Sequence, residues 1–468
     1  MAAVNDFLLK GEWLILVYFL GVNSFYGLLL VSSALELRRH RRRFWQEDYS
    51  QLLSSAVAPR ISILAPAYNE AATVTQSVKA LLTLRYPNLE VVLINDGSSD
   101  TTMEVLIRDF ELIAVHPVYH RVVQHKPLVG YYRSQANPRL VVADKVNGGK
   151  ADALNAGMNI AQGDLACAID ADTIIEPDAM LRMVQPFLVD DQVVGTGGTI
   201  RVANSAVVKS GRVLEARAPH RPLIGIQVME YLRAFFVGRL GWNRLGGNLI
   251  ISGAFGLFRR DSVLAAGGYM EGTVGEDMEL VVRLRRLGHE KRLHNRIVFV
   301  PDPVAWTEVP STLKVLGRQR DRWHRGLSDV LWRNRGLFLN PRYGVLGLMV
   351  YPSFVLVELL APVIEAVGLI GLGVGIGTGG VAWEFAVLFF LVAYGYAVVL
   401  DVLTLLLEEL SYRRYRRLRD RLWLLLWAAM GAVGYRQLTV YWRLRGIWKF
   451  LRGKTDWGHM ARTGFRTS

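Results

Sequence analysis

Two aspartates sit two residues apart at 170 and 172, at the end of the apolar run DLACAIDAD (164–172). Alternate residues of a strand face the same side, so both carboxylates can converge on one cation. Oxygen ligands select a hard ion such as Mg²⁺ or Mn²⁺, which bridges diphosphate oxygens and stabilises a leaving nucleotide. Asp-x-Asp alone is a common spacing. Its place after a buried strand gives it weight, because an unpaired carboxylate there is costly as packing. Two more apolar runs end in the same way. ISILAPAY (61–68) leads into Tyr68-Asn69-Glu70, and LEVVLIND (89–96) ends in Asn95-Asp96-Gly97.

Further groups lie along the chain. In KVNGGKADALNAGM (145–158), Gly148 and Gly149 allow close backbone approach and Lys150 opens a helix, a place that suits phosphate charge. The alternative is an ordinary loop–helix junction with a solvated lysine. It is not a Walker loop, since G-x-x-x-x-G-K-[ST] is absent. SGAFGLFRR (252–260) reads as a strand. VGEDMELVVRL (274–284) puts Glu276 and Asp277 at a helix start, where acids either favour the dipole or, for Asp277, serve as a general base. GRQRDRWHRG (317–326) is strongly basic with one tryptophan, as a solvated interface helix also is.

These residues need a frame. Strands and helices alternate between about 55 and 310, which predicts an α/β domain with a mostly parallel sheet and ligands at the carboxyl ends of its strands. After the second strand, GSSDTTMEVLIRDF predicts a helix capped by Ser98 or Asp100. Cys167, the one cysteine, forms no internal disulfide and reads as a small core residue.

Both ends read differently. Residues 13–35 carry no charge, which is enough for a membrane-crossing helix and too long for a signal-peptide core. Basic residues fill 38–43 and hold that end in the cytosol. Apolar blocks at about 344–377 and 382–407 precede six arginines between 413 and 421, which fits two more crossings. The stretch 422–442, with Gly431, Gly434 and Arg436, is expected to form a re-entrant or kinked hairpin that keeps the basic tail cytosolic. Glu358, Glu365 and Asp401 lie in or beside these blocks, facing either the protein interior or the headgroups. The net charge of +14 is therefore mostly membrane topology, and no nucleic-acid motif accompanies it. The expected division is 1–43 as an N-terminal transmembrane helix with basic flank, 55–310 as the cytosolic domain, 311–343 as interface helices, and 344–468 as the C-terminal membrane region and tail.

Taken in order, Ala65-Pro66-Ala67-Tyr68-Asn69-Glu70, Asn95-Asp96-Gly97-Ser98, Asn147-Gly148-Gly149-Lys150, Asp170-Ala171-Asp172, Gly275-Glu276-Asp277 and Gln319-Arg320-Asp321-Arg322-Trp323 resemble the processive membrane-bound family 2 glycosyltransferases. That family includes the cellulose, hyaluronan and poly-N-acetylglucosamine synthases, and the resemblance covers about 55–330. It implies a GT-A type fold, with donor contacts at Ala65, Tyr68, Glu70, Asp96, Lys150, Asp170 and Arg322. It implies Mg²⁺ or Mn²⁺ on Asp172 and Asp170, a catalytic base at Asp277, and acceptor contacts at Gln319, Trp323 and Glu276. The resemblance further implies inverting transfer from a nucleotide-sugar donor to a growing glycan acceptor. The protein would be multi-pass in a bacterial inner membrane, with its catalytic domain cytosolic, the bilayer as partner, and accessory membrane or export proteins. The ending WGHMARTGF (457–465) resembles a C-terminal signature of some bacterial members. Against a polysaccharide synthase stand two other readings: transfer of one sugar to a lipid or other membrane acceptor, and an inactive scaffold. The intact acids at 170, 172 and 277 speak against the scaffold.

Overall fold

The computed structural model describes residues 2–44, 58–170, 173–209, 212–379 and 383–454. Ala171, Asp172 and the 457–465 ending lie outside the described residues. The chain divides into two compact units. One comprises His40–Ala216, Asn248–Glu308 and Arg462–Ser468; the other comprises Met1–Arg39, Arg217–Gly247 and Val309–Ala461. Residues 217–247 fall inside the expected 55–310 domain yet cluster with the helical unit. Their apolar helix Pro222–Leu232 packs there through Gly225 against Trp427, whose indole donates to Pro219 O at 2.9 Å.

The first unit is built on a ten-stranded sheet. Its strands are β1 (Ile61–Ala67), β2 (Leu89–Asn95), β3 (Leu112–Ala114), β4 (Leu128–Ser134), β5 (Leu140–Lys145), β6 (Leu165–Ile169), β7 (Ile174–Ile175) and β8 (Val193–Val202), with β11 (Phe255–Arg259) and β12 (Arg296–Thr307). The short strands β9 (Val207–Lys209) and β10 (Arg212–Glu215) pair separately. The order is β3-β4-β5-β2-β1-β6-β11-β8-β12-β7. The central run β5-β2-β1-β6 is parallel, and β8 pairs in parallel with β12. The flanking β4 and the inserted β11 run antiparallel.

The parallel centre follows from its sequence. Strands covered on both faces read as continuous apolar runs, and β2 and β6 are buried throughout. Cys167 is fully buried in β6, as a core residue is expected to be. Helix Lys150–Ile160 closes one face, with Ala153, Leu154 and Met158 joining Leu64, Val92, Ile94 and Ala168 in the core. The register aligns Ala67, Asn95 and Asp144 across three parallel strands, so their carboxyl ends share one edge of the sheet. The helix after β2 starts at Thr102. Neither expected cap is its N-cap, which is Thr101, but Asp100 Oδ1 accepts from Thr102 N at 3.0 Å.

The second unit is helical. Two helices, Lys10–Arg42 and Trp383–Ser411, are long and apolar enough to cross a membrane. The block expected as one span at 344–377 is a bent pair, Leu346–Leu359 and Ala361–Gly377, at 42°. Leu16 and Phe19 pack with Leu372, Phe389, Ala393 and Tyr394, joining the N-terminal helix to the later ones. The segment 422–442 is kinked: Leu418–Met430 and Arg436–Leu451 are separated by non-helical Val433 and Gly434, the latter with φ +76°.

Glu358, Glu365 and Asp401 each find a partner inside this unit. Glu358 accepts from Tyr26 Oη at 2.6 Å, Glu365 lies 2.9 Å from Arg436, and Asp401 lies 3.3 Å from Arg233. Glu365 and Asp401 are largely covered by protein, whereas the Glu358 side chain is 41% exposed.

Candidate active site

At the shared strand edge, the turn after β1 is tied to the loop after β2. Asn69 has φ +56°, and its Oδ1 accepts from Ser99 N at 2.8 Å while its own amide donates to Ser98 Oγ at 2.9 Å. Glu70 N donates to Thr102 Oγ1, and its carboxylate accepts from Thr73 Oγ1 at 2.6 Å. Tyr68 is 49% exposed beside this turn, so its ring is available to a ligand. Ala65 is buried inside β1 and pairs with Leu93; its methyl is sheet packing.

Asp96 is buried, and both its oxygens are engaged. Oδ1 lies 2.6 Å from Lys145 Nζ and accepts from Gly148 N at 3.0 Å, and Oδ2 accepts from Gly149 N at 2.7 Å. It therefore holds the turn that delivers Lys150. Only glycine suits that turn. A Cβ on residue 148 would stand 2.3 Å from Asp152 Oδ1, and Gly149 has φ +87°. Lys145 is fully buried between Asp96 and Asp152, the second at 3.3 Å. Asp152 also accepts from Lys126 N with both oxygens. Sequence reasoning singled out neither Lys145 nor Asp152, although both lie in the quoted 145–158 segment.

Lys150 is where the expected residues meet. Its ammonium lies 2.6 Å from Asp170 Oδ1, 3.7 Å from Glu276 Oε1 and 3.2 Å from Gly253 O. These acids hold its pKa above the usual lysine value against the opposing effect of burial. The same pocket is lined by Ser252, Gly253, Tyr269, Glu276 and Asp277. Gly253 N donates to Asp277 Oδ2 at 2.9 Å, fixing the carboxylate at the start of helix Glu276–Glu290. Glu276, 4% exposed, has its pKa raised to about 7 by burial, with Lys150 opposing and Asp277 adding to the rise. Tyr269 was also missed. Asn155 brackets its backbone at 2.6 and 2.9 Å, and its buried hydroxyl is without a partner among the described residues.

Asp170 offers an oxygen donor of the kind a hard divalent cation takes. One carboxylate is partly exposed at the end of β6, and Asp172 lies two residues on, outside the described residues. No group of three His, Cys, Asp or Glu side chains is placed to hold a metal ion among the described residues. A cation there would take the rest of its shell from ligand oxygens or water.

Gln319, Arg322 and Trp323 lie in the helical unit, on helix Leu313–Arg333. One face of this helix is pinned. Asp321 is paired with both Arg445 and Lys449 at 2.7 Å, and Arg320 with Glu230. Trp323, one turn after Arg320, is 44% exposed, with the Arg320 guanidinium 4.6 Å over its ring. Arg322 is half-buried beside it. Gln319 is buried, and its Oε1 lacks a partner among the described residues.

Comparison with known proteins converges on one family. Residues 62–120 match Glycosyl transferase family 2, and residues 133–326 match Glycosyltransferase like family 2. The chain is 30% identical over 284 residues to the probable glycosyltransferase YdaM of Bacillus subtilis, covering 60% of this chain and 57% of that one. It is 29% identical over 275 residues to the poly-beta-1,6-N-acetyl-D-glucosamine synthase of Staphylococcus aureus, covering 58% and 56%. It thus spans a little over half the length of these relatives. Among solved structures, a mannosyltransferase from Pyrobaculum calidifontis in complex with GDP-Man and Mn²⁺ aligns at a TM-score of 0.49 and 19% identity, covering 88% of this chain and 99% of that one. Together the two matches take in the α/β sheet and run on into helix Leu313–Arg333, and the chain belongs to the family 2 glycosyltransferases.

Proposed function

We propose that this protein elongates a β-linked polysaccharide by metal-assisted, inverting transfer from a nucleotide-diphosphate sugar, with a UDP-sugar as the expected donor. The observation that carries the reading is the cluster of Lys150, Asp170, Glu276 and Asp277 around one pocket at the sheet edge. Asp277 acts as the base. Its carboxylate, oriented by Gly253 N, takes the proton of the acceptor hydroxyl as that oxygen attacks the anomeric carbon. The nucleotide diphosphate departs from the opposite side, and configuration inverts. Lys150 supplies positive charge to the departing diphosphate. Asp170 and Asp172 would hold Mg²⁺ or Mn²⁺, which supplies Lewis-acid charge to the same oxygens when bound.

Tyr68 and Glu70 would contact the nucleoside. Asp96 contributes through the turn it holds. Arg322 is suited to phosphate by its planar guanidinium, while Gln319 and Trp323 offer an acceptor sugar a hydrogen-bonding group and an apolar face. In this reading the protein is a multi-pass enzyme of a bacterial inner membrane with its sheet unit in the cytosol, working on a growing glycan and with accessory export proteins; two helices long and apolar enough to cross a membrane support its membrane location. The similarity to a poly-beta-1,6-N-acetyl-D-glucosamine synthase supports synthesis of a polymer over a single transfer to a lipid.

The test is incubation of the purified protein in detergent with a panel of nucleotide sugars, followed by product sizing and linkage analysis. A ladder of β-linked products is expected; one added sugar would replace the polymer reading with the single-transfer one. Excess chelator should stop turnover and added Mg²⁺ or Mn²⁺ restore it, and full activity in chelator would remove the metal from the mechanism.

A further inference from the structure

The residue after Trp323 is tied to the break in the bent helix pair. Pro362 has no N–H, so Glu358 O, four residues earlier, loses its helical donor. Val363 N, the usual partner of Leu359 O, donates to Leu360 O at 3.0 Å. Two carbonyls are thus left over in an apolar segment, where lipid offers no replacement donor. Each is taken by a side chain from another helix. Arg443 Nη2 donates to Glu358 O at 2.7 Å, and His324 Nε2 meets Leu359 O at 3.3 Å.

These two caps are joined to each other. Arg443 Nε donates to His324 Nδ1 at 3.3 Å. An acceptor role at Nδ1 leaves the proton on Nε2, so the two contacts require one neutral tautomer. Burial and the adjacent Arg443 charge favour that neutral form, pushing the imidazole down to about 3. Glu358 is fixed in turn by Tyr26 on the N-terminal helix. Four helices therefore meet at one polar junction, one residue along the chain from Trp323.

We propose that His324 is a positioning residue: it locks helix Leu313–Arg333 to the proline break at 358–362 and so sets the aim of Trp323 toward the acceptor. The proposal rests on the reading of Trp323 as an acceptor platform. A misaimed acceptor leaves the donor to water, so the sensitive quantity is sugar transferred relative to sugar released by hydrolysis.

The experiment uses the full chain in detergent with UDP-N-acetylglucosamine, or whichever nucleotide sugar of the panel is turned over. His324→Ala is expected to lower the transfer-to-hydrolysis ratio about tenfold, the scale of one lost buried hydrogen bond, with donor KM within about twofold. His324→Gln, which offers a donor and an acceptor at similar reach, is expected to restore most of the ratio. Pro362→Ala returns the missing N–H and is expected to lower the ratio without lowering the thermal midpoint; it decides the matter if His324→Ala does not fold. A normal ratio in His324→Ala, or a rise in donor KM together with a fall in turnover and thermal midpoint that His324→Gln does not repair, would overturn the proposal. Trp323→Ala separates the two readings. If it lowers the ratio while His324→Ala and Pro362→Ala do not, the proposal alone fails; if it is indistinguishable from the parent, the acceptor reading fails and the proposal with it.

Discussion

The sheet unit and the helical unit both bury charge, but they arrange it differently. In the sheet unit the charges converge. Lys145 and Lys150, five residues apart, draw on Asp96, Asp152, Asp170 and Glu276 at one edge of the sheet. In the helical unit they are spread along the helices as contacts that join one helix to another, such as Glu365 with Arg436 and Asp401 with Arg233, with the junction at Glu358, Arg443 and His324 as one more such joint. Convergence raises the local field and prepares a site for a charged ligand. Dispersion satisfies each group where it stands and joins helices that apolar contact alone aligns poorly. Within the sheet unit the same contrast recurs between a fully buried lysine that holds a turn and a partly exposed one that faces a pocket.

The strongest test of convergence is Asp277→Asn. It removes the base with little change of volume, so transfer should fall about 10²–10⁴-fold while donor binding, read by isothermal titration, stays near the parent value. Near-normal turnover would break the assignment.

The two lysines should separate next. Lys145→Met leaves Asp96 and Asp152 buried without their cation, at a cost of about 3–5 kcal/mol in stability. Thermal unfolding should show a large drop or no folded protein. Lys150→Met leaves Asp170 partly exposed and Glu276 buried but able to take a proton, so stability should fall less than in Lys145→Met. Donor affinity should weaken about 10- to 100-fold, the scale of a charge-assisted hydrogen bond. Equal effects of the two changes on both measurements would erase the distinction between a structural and a ligand-facing lysine.

How well each unit can be read from sequence follows from the same contrast. The strands at 61–68, 89–96 and 164–172 were legible because acids at the ends of continuous apolar runs break the pattern that packing demands. Asp170 stood out for that reason, Lys150 because it opens a helix after two glycines, and Asp277 because it stands at another helix start. Lys145 did not, because a lysine at the end of a strand looks solvated until the two carboxylates that enclose it, 49 residues before and seven after, are brought together by the fold. Tyr269 carries no local signal at all; only the pocket makes its orphan hydroxyl notable. In the helical unit, Glu358 was visible as an acid in an apolar block. Its carbonyl, freed by Pro362 and capped by Arg443, is a backbone event that no side-chain pattern announces. The assignment of 217–247 to the helical unit is similarly a matter of packing against Trp427.

Glu276 gives the smallest effect and the finest test of the converging field. A carboxylate at a helix start is normally stabilised by the dipole, yet burial holds this one protonated up to about pH 7 despite Lys150 nearby. Its folded pKa lies above the unfolded value of 4.5, so between pH 4.5 and about 7 the folded state binds more protons. Stability must then fall as pH rises through that window. Glu276→Gln cannot titrate and should lack that component. Thermal midpoints of ligand-free parent and variant, measured in chelator at pH 5 and pH 8, isolate it by difference: the parent should lose more on going to pH 8. Parallel losses would mean that Glu276 is already ionised at pH 5, and that Lys150 and the helix start outweigh its burial.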